Sequence, residues 1–249
     1  MDRNRFSNIA HQNHVFRNPL NPGKLLRLAG MARLQPAERV LDIGAGTCEL
    51  LICLTEAYAV QGTAVELDEG ALALARQAAA VRIAPERLTL LHDDAAHAVS
   101  QFEADSFALG LCIGSTHALG GLASTLQELQ RCVRPGGQIL VGEGYWKQPP
   151  CADYLEALGA QESDLLTHAA NVATGEQLGL IPLWASTTSD DEWDEYEWLY
   201  SSTVERYCQE HPEDPDRPAM LTRIRTWRST YLQWGRQTLG FGLYLFQRV

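Results

Sequence analysis

The stretch VLDIGAGTCEL at positions 40–50 decides the fold of this chain. An apolar run reaches Asp42, the glycines Gly44 and Gly46 follow, and the next residues can begin a helix. A strand, a glycine loop and a helix in this order are typical of the first unit of nucleotide-binding α/β proteins. The stretch therefore predicts a ligand-binding loop at the end of the first strand of a parallel sheet.

The rest of the chain repeats this alternation of strands and helices. Apolar runs bounded by turn residues predict strands at 39–43, 63–67, 87–92, 107–113, 138–142, 180–187 and 240–249. Helical periodicity predicts helices at 23–34, 48–58, 69–81, 122–133, 192–208 and 219–237. The polar first 23 residues end in NPLNPG, whose prolines and glycine stop regular structure. Strands separated by helices imply an α/β fold whose sheet is mostly parallel and covered by helices on both faces.

The composition weighs against several classes of protein. The chain has 31 acidic and 20 basic residues, a net charge of −11, whereas binding to nucleic acid or anionic membrane needs clustered lysine and arginine. No apolar run approaches the roughly 18 residues of a membrane span, and the N-terminus has no signal-peptide core. The six cysteines form no CxxC pair, which predicts reduced thiols and a cytoplasmic location. His11 and His14 have no Cys or carboxylate partners nearby in sequence, so no metal site is expected.

The loop departs from the dinucleotide fingerprint GxGxxG at its third glycine, which is Glu49 in this chain. That glycine lets the helix pack closely on the strand, and the helix N-terminus faces a pyrophosphate. A carboxylate in this first turn would repel a pyrophosphate and would add bulk. The loop thus points away from NAD. An NAD-dependent oxidoreductase stays an alternative that nicotinamide binding would revive.

Acidic residues at the ends of the second and third strands suit a nucleoside. Glu66 follows Gly46 by 20 residues, the spacing at which an acid accepts hydrogen bonds from ribose hydroxyls. Asp93 and Asp94 end the third strand, where a carboxylate can reach an adenine amino group. Glu66 could instead be an exposed acid at a strand end, and Asp94 could cap the following helix. Together, the loop and these acids predict an adenosine ligand without phosphates.

With these motifs the chain resembles class I S-adenosylmethionine-dependent methyltransferases. VLDIGAGTCEL resembles their first motif, AVELDEGAL the second, HDDA the third and RPGGQILVGE the region of the fifth strand. HQNHVFRNPL, CIGSTHALGG, GEGYW and the Trp-rich tail are similar to a bacterial, small-molecule-type subgroup whose substrates are poorly assigned. The likeness runs from about Asn18 to the C-terminus.

The resemblance implies a Rossmann-like, seven-stranded, mostly parallel sheet of order 3-2-1-4-5-7-6, with strand seven antiparallel, and a helical lid. It implies a single methyltransferase domain over 1–249, made of an N-terminal cap segment (1–23), a cofactor-binding core (24–145), substrate-side helices with a lid (146–238) and a final strand (239–249). The implied cofactor is S-adenosylmethionine, and the product is S-adenosylhomocysteine. The implied cofactor-binding residues are Asp42, Gly44, Ala45, Gly46 and Thr47 at the methionine end, Glu66 at the ribose, Leu67, Asp93, Asp94 and Ala95 at the adenine, and Cys112 and Ile113 beneath the cofactor.

Residues for the methyl acceptor are expected after strands four and five and on the late helix. His117 lies in GSTH, where related amide and nucleic-acid methyltransferases often carry Asn/Asp-Pro-Pro-Tyr, so those substrates are disfavoured. His117 is a candidate base or hydrogen-bond donor, or else a loop histidine that packs on the cofactor. Tyr145 is the second catalytic candidate, or part of a pocket wall. The candidate pocket residues are His14, Glu143, Trp146, Trp193, Tyr196 and Tyr200, of which the last three share a helix stripe that core packing would also explain.

The sequence therefore predicts a cytoplasmic S-adenosylmethionine-dependent methyltransferase that acts on a small molecule by in-line displacement at the sulfonium methyl. Proximity and orientation can supply much of the acceleration, so a catalytic base is optional. A protein acceptor stays an alternative, because the acidic helix could attract a basic protein. A non-catalytic module that only binds the cofactor is a second alternative. Monomer and homodimer both stay open.

Overall fold

A computed structural model of the protein describes residues 1–249, and one seven-stranded sheet runs through its centre. Its order is β3-β2-β1-β4-β5-β7-β6, with β7 antiparallel to both of its neighbours and the other pairs parallel. The predicted strand order and the antiparallel final strand are confirmed. The strands are β1 (Arg39–Ile43), β2 (Gln61–Glu66), β3 (Leu88–His92), β4 (Phe107–Ile113), β5 (Val133–Trp146), β6 (Ile181–Thr187) and β7 (Leu239–Gln247).

Helices cover both faces of the sheet. Successive strand residues point to opposite faces, so Val40 belongs to one core cluster and Leu41 to the other. Side chains of α2, α3 and α4 pack on the first face, and those of α5 and α6 on the second. The helices are α1 (Arg3–Ala10), α2 (Pro22–Gly30), α3 (Glu49–Tyr58), α4 (Glu69–Ala80), α5 (Ala95–Gln101), α6 (Leu122–Cys132), α7 (Ala152–Leu158), α8 (His168–Gln177), α9 (Asp190–Glu210), α10 (Arg217–Thr230) and α11 (Arg236–Thr238).

The cap segment, residues 1–23, contains a helix that the sequence did not predict. Asp2 caps α1, because its side chain accepts a 2.7 Å hydrogen bond from the backbone N–H of Arg5. Phe6 and Ala10, four residues apart, are buried in a third cluster with α9 and α10. Phe6, Ile9 and Ala10 have helical spacing but form only one turn of an apolar stripe, which is too short to predict a helix, and burial against distant helices stabilises α1. The first helix predicted from the sequence begins at residue 23, so α1 is an addition to the predicted elements.

Strand β5 is longer than predicted and contains a bulge. Val133 pairs with Phe107 and Gln138 pairs with Leu109, so RPGG at 134–137 bulges out between the two pairs. At its other end the strand continues to Trp146 by pairing with β7. GEGYW therefore belongs to a strand, and its side chains alternate between two faces of the sheet.

Other bounds also differ from the predictions. Helices α5, α7 and α8 were not predicted, and they are short, at 7, 7 and 10 residues. The predicted helix at 219–237 is interrupted by a π-helical turn at Tyr231–Gly235. None of the helices combines the length and the apolar composition that crossing a membrane requires.

Candidate functional site

The glycine loop joins the end of β1 to the start of α3. Gly44 and Gly46 have φ of +66° and +56°, and the Gly44 N–H donates to the Val65 carbonyl at 2.9 Å. A Cβ on Gly44 would lie 2.3 Å from the Cβ of Ser115, which follows β4. Glycine is thus required at position 44 by the backbone conformation and by the close approach of the neighbouring strand end.

A cavity of about 200 Å³, which we call the glycine-loop cavity, lies in front of this loop. Asp42 lines it from the end of β1 and is buried. Burial, and then the charge of Glu66, raise the pKa of Asp42 to about 7. Ala45, Gly46 and Thr47, all of which were sequence candidates, line the same cavity.

Glu66 ends β2 and is held by three backbone N–H groups. Its Oε2 accepts from Gly46 at 2.7 Å, and its Oε1 accepts from Leu67 at 2.9 Å and from Asp68 at 2.8 Å. These bonds fix the carboxylate between the glycine loop and the start of α4. A carboxylate has about four lone-pair positions, so one acceptor position is left for a ligand hydroxyl.

A second cavity of about 320 Å³, the strand-end cavity, continues the cleft past β2 and β3. The two cavities share Gly44, Glu66 and Ser115, so they form one cleft along the carboxyl ends of the strands. The strand-end cavity is lined by the predicted residues Leu67, Asp93, Asp94, Ala95 and His117. Leu67 is 67% exposed and offers a free apolar surface.

The two aspartates of this cavity have different partners. Asp94 caps α5 through Oδ1, which accepts from Ala96 at 3.0 Å and from His97 at 3.1 Å. Asp93 Oδ2 lies 2.7 Å from His97 Nδ1, and this hydrogen bond lowers the pKa of Asp93. The helix cap and a ligand contact are compatible for Asp94, because its Oδ2 is not used by the cap.

Residues of the cap segment form one wall of the glycine-loop cavity. Val15, Phe16, Arg17 and Asn18 line it, and none of them was a sequence candidate. The Asn18 amide donates to the Ile113 carbonyl at 3.3 Å, which attaches the cap segment to the end of β4. Only the likeness of HQNHVFRNPL to a subgroup could have indicated these residues, because their contacts lie about 95 residues away in the chain.

Acidic groups outnumber basic groups in the wall of the glycine-loop cavity. Asp42, Glu49 and Glu66 line it together with one guanidinium, that of Arg17. Glu49 also accepts from Arg82 at 2.7 and 2.8 Å, so part of the repulsion expected from Glu49 is neutralised. The wall still has more acids than bases, which disfavours a pyrophosphate and favours a ligand that carries positive charge.

The acceptor candidates of β5 are buried away from both cavities. Glu143 accepts hydrogen bonds from the Thr116 hydroxyl and from its own neighbour's N–H, and burial raises its pKa. Tyr145 packs over Gly240, and its ring lies 5.4 Å from that of His168. Neither side chain lines the cleft, because β7 and α8 cover this part of the strand.

The other five pocket candidates are distributed over several places. Trp146 donates to the Glu162 carbonyl at 2.8 Å, and Trp193 packs in the first core cluster. His14 and Tyr196 line a third cavity, about 200 Å³, beyond the cap segment. Tyr196 and Tyr200 line a fourth cavity between α1, α9 and α10. The structure therefore brings together the cofactor candidates, except Cys112, which is buried in the second core cluster, and it separates the acceptor candidates.

Comparisons with known proteins agree with this geometry. The model of the methyltransferase domain family matches residues 40–137. The S-adenosylmethionine-dependent methyltransferase of Geobacter sulfurreducens, solved with S-adenosyl-L-homocysteine, is 30% identical, covers 98% of each chain and has a TM-score of 0.88. The uncharacterized protein YjhP of Escherichia coli K12 is 28% identical over 246 residues, 98% of each chain. The 27-O-demethylrifamycin SV methyltransferase of Amycolatopsis mediterranei is 28% identical over 117 residues, 47% of this chain and 42% of that protein.

The fold and the cleft define an α/β protein of the Rossmann-like class with a nucleoside site at its strand ends. The chain belongs to the S-adenosylmethionine-dependent methyltransferases. Its cofactor is S-adenosylmethionine, as predicted. The residues present fit this group, since an acidic wall suits a sulfonium cation and Glu66 offers an acceptor between the two cavities.

Proposed function

We propose that the protein transfers the methyl group of S-adenosylmethionine to a small molecule. The observation that carries this proposal is the cap segment, which closes over the glycine-loop cavity and is attached by Asn18 to the end of β4. An acceptor has to reach the cofactor past this wall, and a small molecule suits a walled cavity better than a folded protein or a duplex does. The rifamycin methyltransferase among the relatives is named for a small-molecule substrate.

The cofactor would lie along the cleft with its two ends in the two cavities. The glycine loop and Asp42 would hold the methionine end, Glu66 would accept from the ribose, and Leu67 would cover one adenine face. Asp94 Oδ2 would accept from the adenine amino group. All of these residues line the cleft, which supports the assignment. The remaining predicted contacts are Asp93, Ala95, Cys112 and Ile113. We propose them as cofactor contacts as well, although Cys112 is buried in the core below the cleft.

Arg17 is an addition to the cofactor site that the sequence did not predict. Its guanidinium donates to Asn8 at 2.8 Å, and its side chain lines the cavity beside Gly46. We propose that Arg17 pairs with the carboxylate of the cofactor's methionine end, because it is the one cation among three acids in this wall. The cap segment would then close on a bound cofactor.

The reaction needs alignment more than acid–base chemistry. The bound cofactor would supply a methyl group on a sulfonium, from which a neutral thioether is a good leaving group. The chain's own part is to hold the acceptor in line with the methyl group and to exclude water. Proximity and orientation can lower the activation barrier by about 7–11 kcal/mol in favourable cases. His117 lines the cavity with Asp93 and Asp94, which favours a contact with the cofactor over a role as a base. Tyr145 would act only indirectly, through the walls that it supports.

The cytoplasmic location and the absence of nucleic-acid partners stay predictions. The division of the chain into a cap segment, a cofactor core and substrate-side helices is likewise part of the proposal.

The proposal is tested with a cell extract separated by size. The protein and methyl-labelled S-adenosylmethionine are incubated with the small-molecule fraction and with the macromolecular fraction, and transferred label is counted in each. We expect label in the small-molecule fraction, and mass analysis then identifies the product. Label found only in the macromolecular fraction would overturn the proposal and favour a protein or RNA acceptor.

A further inference from the structure

The fourth cavity, which we call the helical cavity, lies between α1, α9 and α10, with Ala157 of α7 in its wall. We propose that this helical cavity binds a small amine with a flat apolar body, and that Glu197 accepts the ammonium group. No residue of the helical cavity also lines the cofactor cleft, so this site goes beyond the proposed methyl transfer.

Glu197 is a buried carboxylate that no cation neutralises. It is 5% exposed, and its Oε2 accepts a 2.6 Å hydrogen bond from the indole N–H of Trp227. It forms no salt bridge, whereas Glu192 and Glu205 on the same helix are paired with basic residues. Burial of a carboxylate without a cation is costly, which the raised pKa of Glu197, about 7, reflects. A ligand ammonium would provide the missing partner.

The walls around Glu197 suit the body of such a ligand. The helical cavity has a volume of about 450 Å³, inside the range of about 300–1,000 Å³ that is usual for small-molecule sites. Its aromatic lining residues are Phe6, Tyr196, Tyr200 and Trp227. The faces of such rings attract cations and flat apolar groups. Both halves of an aryl amine therefore find a complementary surface.

The basic groups of the cavity do not compete for Glu197. His11 is hydrogen-bonded to the Ser7 carbonyl and to the Tyr196 hydroxyl, and burial lowers its pKa to about 4, so it is neutral near pH 7. The Arg223 guanidinium lies 4.6 Å from the centre of the Phe6 ring and is exposed to solvent. Arg223 therefore occupies the Phe6 face at the outer side of the cavity, and the ammonium is directed to Glu197.

The test compares two probes of the same shape on the full-length protein. Phenethylamine carries the ammonium, and 2-phenylethanol replaces it with a hydroxyl. We expect calorimetry to show that the amine binds at least about tenfold more tightly, because it gains an ion pair in a buried site. The indole N–H resonance of Trp227, assigned by Trp227→Phe, should shift with the amine because this indole contacts Glu197.

Two variants on one helix locate the effect. Glu197→Gln should bring amine binding down to the level of the alcohol, whereas Glu210→Gln, an exposed acid near the end of α9, should bind the amine like the wild type. Equal binding of both probes to the wild type, no detectable amine binding, or unchanged binding by Glu197→Gln would overturn the proposal. If Glu197→Gln fails to fold, the proposal is still tested by the affinities of the wild type for the amine and the alcohol and by the shift of the Trp227 resonance. Binding of S-adenosylhomocysteine is measured in parallel, so a failed cofactor site is recognised separately.

Discussion

Replacement of Glu66 by glutamine tests the centre of the cofactor site. The substitution keeps the size of the side chain and removes its charge and one acceptor oxygen. In the structure, three of about four lone-pair positions of this carboxylate are used by the N–H groups of Gly46, Leu67 and Asp68. One position is left for a ribose hydroxyl, so we expect the loss of a single charge-assisted hydrogen bond to the cofactor.

A hydrogen bond to a charged group contributes about 1.5–3 kcal/mol. Since about 1.4 kcal/mol corresponds to a tenfold change in affinity, Glu66→Gln should weaken S-adenosylhomocysteine binding by about 10- to 150-fold. The same substitution also weakens the hydrogen bond from the Gly46 N–H to this side chain, so we expect a loss of affinity in the upper part of this range.

The assay is isothermal titration of S-adenosylhomocysteine into wild type, Glu66→Gln and Glu69→Gln. Glu69 is the matched control, because it lies three residues along the chain, is exposed, pairs with Arg76 and lines neither cavity. We expect the control to bind like the wild type. A Glu66→Gln protein that is folded by thermal melting and binds within threefold of the wild type would refute the assignment of Glu66 to the ribose.

Three further predictions concern Gly114 after β4, the buried Asp42, and Arg17 of the cap segment. Gly114→Ala should weaken S-adenosylhomocysteine binding, because the φ of Gly114 is +75° and the added Cβ would lie 2.1 Å from the Asn18 amide oxygen. Gly120→Ala is the control: its φ is +84°, its Cβ would meet only the Ser124 Oγ at 3.7 Å, and it should cost only about 1–2 kcal/mol of stability and leave affinity unchanged. Because the pKa of Asp42 is raised to about 7 in the folded state, the free energy of unfolding of the cofactor-free wild type should fall by about 4 kcal/mol relative to that of Asp42→Asn as pH rises from about 4 to about 7. Urea-unfolding free energies of the two proteins that run parallel against pH would contradict this. Arg17→Gln should raise the KM for S-adenosylmethionine with little change in kcat in steady-state assays, and an unchanged KM would exclude its proposed pairing.

The grouping of the proposed cofactor residues around one cleft could be predicted from the sequence because these residues lie at strand ends. Gly44 and Gly46 follow β1, Glu66 ends β2 and Asp94 follows β3. The carboxyl ends of parallel strands meet at one edge of a sheet, so residues that are distant in the chain become neighbours without further information. The structure places all of these residues around one cleft, as the pattern indicated.

The acceptor side could not be predicted in the same way. GEGYW was interpreted as residues after strand five, but pairing with β7 extends the strand and buries Tyr145 over Gly240. The pairing of Tyr145 at the end of β5 depends on β7, the last strand, whose partner residue lies about 95 residues further along the chain. The stripe of Trp193, Tyr196 and Tyr200 was recognised, but its members enter a core cluster and two cavities.

The sequence by itself determined the alternation of strands and helices and the chemistry of the cofactor, because both rest on local spacing and on residues at strand ends. The tertiary structure alone decided that Arg17 enters the cleft and that Glu197 is buried without a cation. Both features depend on packing between segments that are distant in the chain, the cap segment against the glycine loop and α9 against α10, and no local pattern specifies such contacts.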